Sequence, residues 1–198
     1  LRDAAHGDLG RSVKFREPVV DVILKAFPFT ITLTLASVTV GTFFGILVGV
    51  ITALKRATWI DNFVTVIVVF FYSIPTFWLG LMLILIFSVG LRILPVQGAN
   101  TPQHFILPTI NLAVGQIALI ARLTRSGMIE VLSADYIRTA RAKGITEKNV
   151  IIRHTLKNVL IPIVTVVGLS FGALLGGAII TESIFGLPGV GLSAIDAF

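Results

Sequence analysis

The sequence predicts an all-α polytopic membrane protein. Of its 198 residues, 55% are hydrophobic and only 13% are charged, and the mean hydropathy is +0.95. Such a composition is too apolar for an ordinary soluble domain. The apolar residues also form runs long enough to cross a bilayer, separated by polar or proline-containing segments. The formal net charge of +6 would suggest nucleic acid in a soluble protein. Here the basic residues border the apolar runs, so the lipid bilayer and a cytoplasmic partner are expected instead, and no nucleic acid.

Four apolar runs predict four membrane spans after an external polar segment and interfacial elbow at 1–26. The spans are expected at 27–54, 61–93, 105–130 and 158–184. The second run is longer than one crossing needs and contains Pro75, so a single long, kinked and tilted helix is predicted there. Two spans are less favoured because residues 61–71 alone are too short to cross.

Three glycines recur every four residues along the first run, at Gly41, Gly45 and Gly49. A stripe of small residues lets a second helix pack closely. The alternative is that glycine is simply common in membrane helices.

The distribution of basic residues predicts which side of the membrane is cytoplasmic. Lys55 and Arg56 share a side with the polar segment at 133–157, because two spans separate them. That side carries ten Lys and Arg residues and the other side carries six. The positive-inside rule therefore assigns the first side to the cytoplasm.

The polar segment at 133–157, which we call the docking loop, contains six of the sixteen Lys and Arg residues. Ser133 and Thr146 suit helix N-caps, and Gly144 suits the position just past a helix end. The pattern predicts two short helices that form a docking surface for a cytoplasmic protein. The alternative is an ordinary charged loop that obeys the positive-inside rule.

One face of the first docking helix combines Ile137, Ala140 and Gly144, flanked by Arg138 and Arg141. Small residues beside a charged rim allow a partner's backbone to approach closely. This face is therefore predicted to receive the partner.

No catalytic constellation is apparent in the sequence. There is no G-x-x-x-x-G-K-[ST] phosphate loop, cysteine is absent, and the three histidines lack metal-ligand spacing. The chain is therefore expected to be neither an enzyme nor a metal protein, and to bind no ATP by itself.

Polar residues within spans are costly and often face a water-filled pathway. A proline also frees a backbone carbonyl, which is tolerated where it lines a cavity. The candidates for a translocation path are Ser73, Pro75, Thr76, Asn111, Gln116, Ser170 and Glu182. Alternatively, the polar groups bridge helices by hydrogen bonds. Glu182, at the outer end of a span, either faces the pore mouth or a delivery protein, or caps a neighbouring helix.

The run YIRTARAKG at 136–144, followed by RHTLKNVLIP at 153–162, resembles the cytoplasmic loop of bacterial ABC-importer permeases of the dipeptide, oligopeptide and nickel branch. Gly144 and Ala140 match the broad importer signature, whereas Arg138 and Thr139 replace its Glu-Ala. His154 and Lys157 likewise replace its Ile and Pro. Four further segments are similar to the same branch: GDLGRS at 7–12, SIPTFWLG at 73–80, LPTINLA at 107–113 and ESIFGLPGVG at 182–191.

The resemblance implies a type I ABC-importer permease fold in a bacterial inner membrane, with further spans before Leu1 and after Phe198. It also implies a second, similar permease subunit, two cytoplasmic ATPases that hold ATP and Mg, and an extracytoplasmic binding protein. The ATPases would dock on Asp135, Tyr136, Arg138, Thr139, Ala140, Arg141, Ala142, Lys143 and Gly144. The substrate stays open among dipeptide, oligopeptide, nickel chelate and glutathione.

Two other classes of membrane protein are weighed against an ATP-driven importer. An ion-coupled secondary transporter or a channel that acts alone would need ionisable residues within its spans, and the span centres contain no Asp, Glu, Lys or Arg. A membrane scaffold fits the composition but does not explain the polar residues and prolines within the spans.

Overall fold

The computed structural model describes residues 10–12, 16–176 and 178–196, and these residues are predominantly helical. The α-helices are α1 (Val19–Leu54), α2 (Trp59–Ser73), α3 (Thr76–Leu83), α4 (Ile106–Leu132), α5 (Asp135–Ala142), α6 (Glu147–Asn149), α7 (Lys157–Leu175), α8 (Ile179–Phe185) and α9 (Val190–Asp196). Turns of π-helix at Ile84–Gly90 and Val150–Leu156 extend α3 and join α6 to α7, and a short 3-10 helix at Pro102–Phe105 precedes α4.

Three helical stretches of the described chain are long and apolar enough to cross a membrane: Val19–Leu54, Pro102–Leu132 and Glu147–Leu175. Two pairs of shorter helices, α2 with α3 and α8 with α9, would each cross only as a broken span. The third predicted span, 105–130, coincides with α4 to within two residues at each end.

Helix α1 begins earlier than the predicted first span. The elbow expected within 1–26 is helical from Val19 and continues without a break through Pro28. Because proline removes only one backbone donor, a helix can pass through it when the surrounding residues favour helix. Residues 1–9 and 13–15 of the predicted polar segment lie outside the described residues.

The single long helix predicted at 61–93 is instead two helices. α2 ends at Ser73, and Ile74 and Pro75 have extended ψ angles of 127° and 133° before α3 begins at Thr76. The residue before a proline is driven out of the helical region by a clash with the proline ring. Helix α1 therefore continues through its proline, Pro28, whereas Pro75 divides the second apolar run into two helices.

The fourth predicted span, 158–184, has different boundaries in the structure. Its helix is continuous with the second docking helix from Glu147 and ends at Leu175. Beyond it, α8 runs from Ile179 to Phe185, and its C-cap residue Gly186 is in the left-handed conformation, with φ of 58°. Glycine adopts this conformation without a steric penalty, as is common at helix ends.

The chain forms two compact units. Of the described residues, one unit contains 10–12, 16–37, 75–112, 171–176 and 178–196, and within it α8 packs against α3 and α9. The other contains 38–74 and 113–170. Its core is a cluster of buried apolar side chains, namely Ala53, Ile120, Met128, Val159 and Ile163.

The predicted glycine stripe of α1 is confirmed within the second unit. A Cβ atom on Gly41 would lie 2.6 Å from Cβ of Gln116, and one on Gly45 would lie 2.7 Å from Cβ of Ile120. The next glycine, Gly49, faces Thr124 in the same way. The missing side chains on α1 therefore let α4 approach closely.

Candidate functional site

The docking loop forms two helices, as the sequence predicts. α5 ends before Gly144, whose φ of 78° lies in the left-handed region that favours glycine. Thr146 is the N-cap residue of α6. Ser133, predicted to cap α5, lies one residue too early, and its hydroxyl instead donates to the carbonyl of Glu130 at 2.7 Å. The residue at the N-cap of α5 is Ala134.

The face of α5 that was predicted to receive a partner points partly into the protein. Ile137 and Ala140 are buried, so neither side chain is presented to another molecule. The apolar face of an amphipathic helix is buried against its own chain when a neighbouring element can cover it. The other eight candidate docking residues are exposed: Asp135, Tyr136, Arg138, Thr139, Arg141, Ala142, Lys143 and Gly144.

Two side-chain contacts tie α5 to the helix that follows it. The Arg141 guanidinium donates to both carboxylate oxygens of Glu147, at 3.1 and 2.7 Å. Asn158 at the start of α7 donates to the Tyr136 hydroxyl at 3.0 Å. The sequence did not predict Glu147 and Asn158 as partners of α5. Neither residue lies three or four positions from its partner, which is the spacing of neighbours on one helix.

The polar candidates for the translocation path fall into two groups by burial. Ser73, Pro75 and Thr76 are exposed at the break between α2 and α3, and Ser170 is half-buried. Within the break, the Ser73 hydroxyl donates to the carbonyl of Val69 at 2.9 Å.

Asn111 and Gln116, the other polar candidates on α4, are buried. The Asn111 amide donates to the Thr181 hydroxyl at 3.1 Å, which is the helix-bridging arrangement that was left open as an alternative. The Gln116 side chain packs against Gly41, and its amide nitrogen has no hydrogen-bond partner among the described residues.

Glu182 is fully buried within the described chain and caps a neighbouring helix, which is one of the arrangements that the sequence left open for it. Its carboxylate accepts hydrogen bonds from the Thr30 hydroxyl at 2.7 Å and from the backbone N–H of Leu192 at 3.0 Å. Thr30 in turn accepts from the backbone N–H of Val190 at 2.9 Å. These bonds satisfy donors in the first turn of α9, which are otherwise unpaired at a helix start. The loop glycine Gly189 packs directly on the carboxylate.

One partly buried ion pair was not predicted from the sequence. The Arg125 guanidinium donates to both oxygens of Asp61 at 2.8 Å, and Asp61 also accepts from the backbone N–H of Ala57 at 3.0 Å. The Asp61 side chain is 3% exposed and that of Arg125 is 34% exposed. The sequence showed an acid at a helix start and an arginine near a span end, but nothing in it placed the two in contact.

Comparison with known proteins identifies the class to which this fold and docking loop belong. Residues 45–198 match the family model of the binding-protein-dependent transport system inner membrane component, and the chain belongs to this family. Its members are inner-membrane components of binding-protein-dependent transport systems. The predicted resemblance to ABC-importer permeases and the predicted inner-membrane location are thereby confirmed.

The chain is also similar to individual permeases of one transport system. The glutathione transport system permease protein GsiC of Escherichia coli O6:H1 is 45% identical over 197 residues, which is 100% of this chain and 64% of that protein. GsiC of Escherichia coli strain K12 is 44% identical over the same shares. The chain therefore spans less than two thirds of the length of these relatives.

Solved structures share the fold. A chain of the MetNI methionine ABC transporter in inward-facing form has a TM-score of 0.73 and 23% identity, covering 91% of this chain and 82% of that chain. A chain of an amino acid ABC transporter has a TM-score of 0.67 and 19% identity, covering 89% and 78%. The predicted type I permease fold is confirmed.

Proposed function

We propose that this chain is the permease part of an ATP-driven importer and forms half of its translocation pathway. The observation that carries the proposal is the docking loop, whose exposed, largely basic surface stands on a helix that continues into a span. A docking partner that moves this surface moves the span as well. Two cytoplasmic ATPases, which hold ATP and Mg, are the proposed partners on this surface.

The proposed assembly contains a second permease subunit and an extracytoplasmic binding protein. The helix that contains α7 supports a second permease subunit. Only 11% of the most apolar part of the stretch Glu147–Leu175 is buried within the chain. A second subunit and lipid would cover the remainder of that helix. The proposed substrate is a small peptide, in line with relatives that are named glutathione transport permeases. Alternating access between the two sides would move it through the membrane.

The proposal is tested by reversing one charge on the docking surface. Arg138 is exposed and forms only a long, 3.7 Å contact with Asp135, so Arg138→Glu leaves the permease fold intact. The full-length protein should co-purify with a second permease and two ATPases, and the binding protein loaded with glutathione or a dipeptide should stimulate hydrolysis. We expect Arg138→Glu to weaken ATPase retention and that stimulation.

Arg56→Glu is the matched control, since Arg56 is an exposed arginine on the same side but outside the docking loop. Equal losses in the two variants would argue against a specific docking surface. A lone protein that transports solute down an ion gradient would contradict the importer proposal altogether.

A further inference from the structure

A cavity of about 400 Å³ lies among α1, α2 and α4 within the second unit. Its walls are mostly apolar and include Val48, Val64, Val68 and Ala118. The volume lies in the range of pockets that hold small molecules or parts of larger ones. Neither the docking loop nor the polar candidates for the translocation path line it.

Two arginines of α4 also line this cavity, and the structure describes an acidic partner for one of them. Arg125 makes the bidentate pair with Asp61. Arg122 is exposed and forms no ion pair with any residue that the structure describes. Its guanidinium carbon lies 5.9 Å from the centre of the Tyr72 ring, a distance at which a cation and an aromatic face attract each other. Among the residues that the structure describes, the cavity therefore offers an apolar interior and one arginine without a carboxylate partner.

The position of the cavity decides which ligand fits. Val48 and Thr52 line it from the last turns of α1, just before Lys55 and Arg56. The positive-inside rule assigns this end to the cytoplasm. The cytoplasmic leaflet carries anionic lipids, and basic pockets between membrane helices on this side bind their headgroups.

We propose that the cavity is a binding site for an anionic phospholipid of the cytoplasmic leaflet. The headgroup phosphate pairs with Arg122 beside Tyr72, and an acyl chain lies along the valines of α1 and α2. A peptide in transit is a poorer fit, because its backbone needs polar partners along its whole length and most of the wall surface is apolar, although Thr52, Thr65 and Ser126 contribute hydroxyl groups. The lipid matches both the charge and the apolar surface.

The test measures lipid retention by the full-length protein with its partner subunits. The complex is extracted from membranes that contain equal amounts of phosphatidylglycerol and phosphatidylcholine, and native mass spectrometry counts the lipids that remain. Arg122→Gln should lower the preference for phosphatidylglycerol about fivefold, the effect of one basic residue near a membrane surface. Arg56→Gln removes the same charge at the same end but outside the cavity, and should leave the preference unchanged.

A second variant tests the apolar part of the site. Val68→Phe fills the cavity and should reduce retention of both lipids, because the acyl chain is displaced whatever the headgroup. Melting curves of both variants check folding, and since Arg122 is exposed, its variant remains informative if Val68→Phe does not fold. Equal preference in Arg122→Gln and wild type, or equal losses in Arg122→Gln and Arg56→Gln, would overturn the proposal. So would a segment of the full-length chain found inside the cavity.

Discussion

The helices α1 and α4 pack closely because three glycines of α1 have no side chain at the contact. A substitution at Gly45 tests this explanation. An alanine there would place its Cβ 2.7 Å from Cβ and 2.9 Å from Cγ2 of Ile120, and 3.1 Å from the carbonyl oxygen of Ile117. Two carbon atoms pack best at about 3.5–4.0 Å. The atoms that are approached are a side-chain stem and a backbone carbonyl, which cannot rotate away. The two helices must therefore separate by roughly 1 Å.

The magnitude follows from two opposing effects. Overpacking a well-packed interface costs about 1–3 kcal/mol. Replacing glycine by alanine within a helix contributes up to about 1 kcal/mol of stability. Gly168→Ala isolates the second effect, because a Cβ at Gly168 on α7 meets no atom of the described chain within 4 Å. The difference between the variants should therefore be about 1–3 kcal/mol, with Gly45→Ala the less stable.

The assay is thermal unfolding of the purified full-length protein in one detergent. The measured quantity is the fraction of protein that stays monodisperse after heating to each temperature. Gly45→Ala should melt below wild type, and Gly168→Ala at or above it. If Gly45→Ala melted with or above Gly168→Ala, the close packing of α1 on α4 would be refuted. A loss in Gly168→Ala alone would instead indicate that another subunit covers that part of α7.

Two further predictions concern buried carboxylates. Arg125→Met should destabilise the protein by about 3–5 kcal/mol, and Asp61→Asn by clearly less. The first change leaves an unpaired carboxylate that is 3% exposed, whereas the second leaves a guanidinium that is 34% exposed and can reach water. Melting temperatures of the two variants check this order, and equal shifts would contradict it. Glu182→Ala should speed hydrogen exchange at the Leu192 amide, because that N–H loses its acceptor. Glu182→Gln keeps one carbonyl oxygen and should exchange more slowly than Glu182→Ala.

Hydropathy predicted where the membrane helices lie better than where they end. The spans at 27–54 and 105–130 correspond to α1 and α4, because a run of apolar residues needs no knowledge of its neighbours to be recognised. Helix continuity is a different property. Val19 begins α1 in the middle of a mixed segment, and Glu147 begins the helix that becomes α7, since backbone hydrogen bonding does not stop where polarity begins.

The effect of proline also depended on context. Pro28 lies inside α1, whereas the chain is extended at Ile74 and Pro75. Both prolines remove the same donor and restrict the preceding residue in the same way. The sequence can therefore mark a possible break, but whether the helix resumes is decided by packing on either side.

For the candidate site, the sequence predicted residue types and helices but not which side chains face inward. Gly144 and Thr146 could be assigned because their roles at helix ends are local. Ala140 and Glu182 could not, since burial depends on which element packs against them. The hydrogen bond between Thr30 and Glu182 joins residues 152 positions apart, so no local sequence pattern predicts it.

The attachment of α5, on which the proposed coupling to a partner depends, comes from burial rather than from charges. The Arg141–Glu147 pair joins α5 to the next helix, but both side chains are substantially exposed. Exposed ion pairs contribute about 0–1 kcal/mol and weaken with salt. Ile137 is fully buried, and an isoleucine of that kind contributes roughly 1.5–3 kcal/mol. The firm attachment of α5 therefore rests mainly on its apolar face, and the proposed docking surface consists of its exposed residues. The helical stretch from Glu147 to Leu175 continues through a π-helical segment and Pro162, so the second docking helix and the span belong to one stretch of helix.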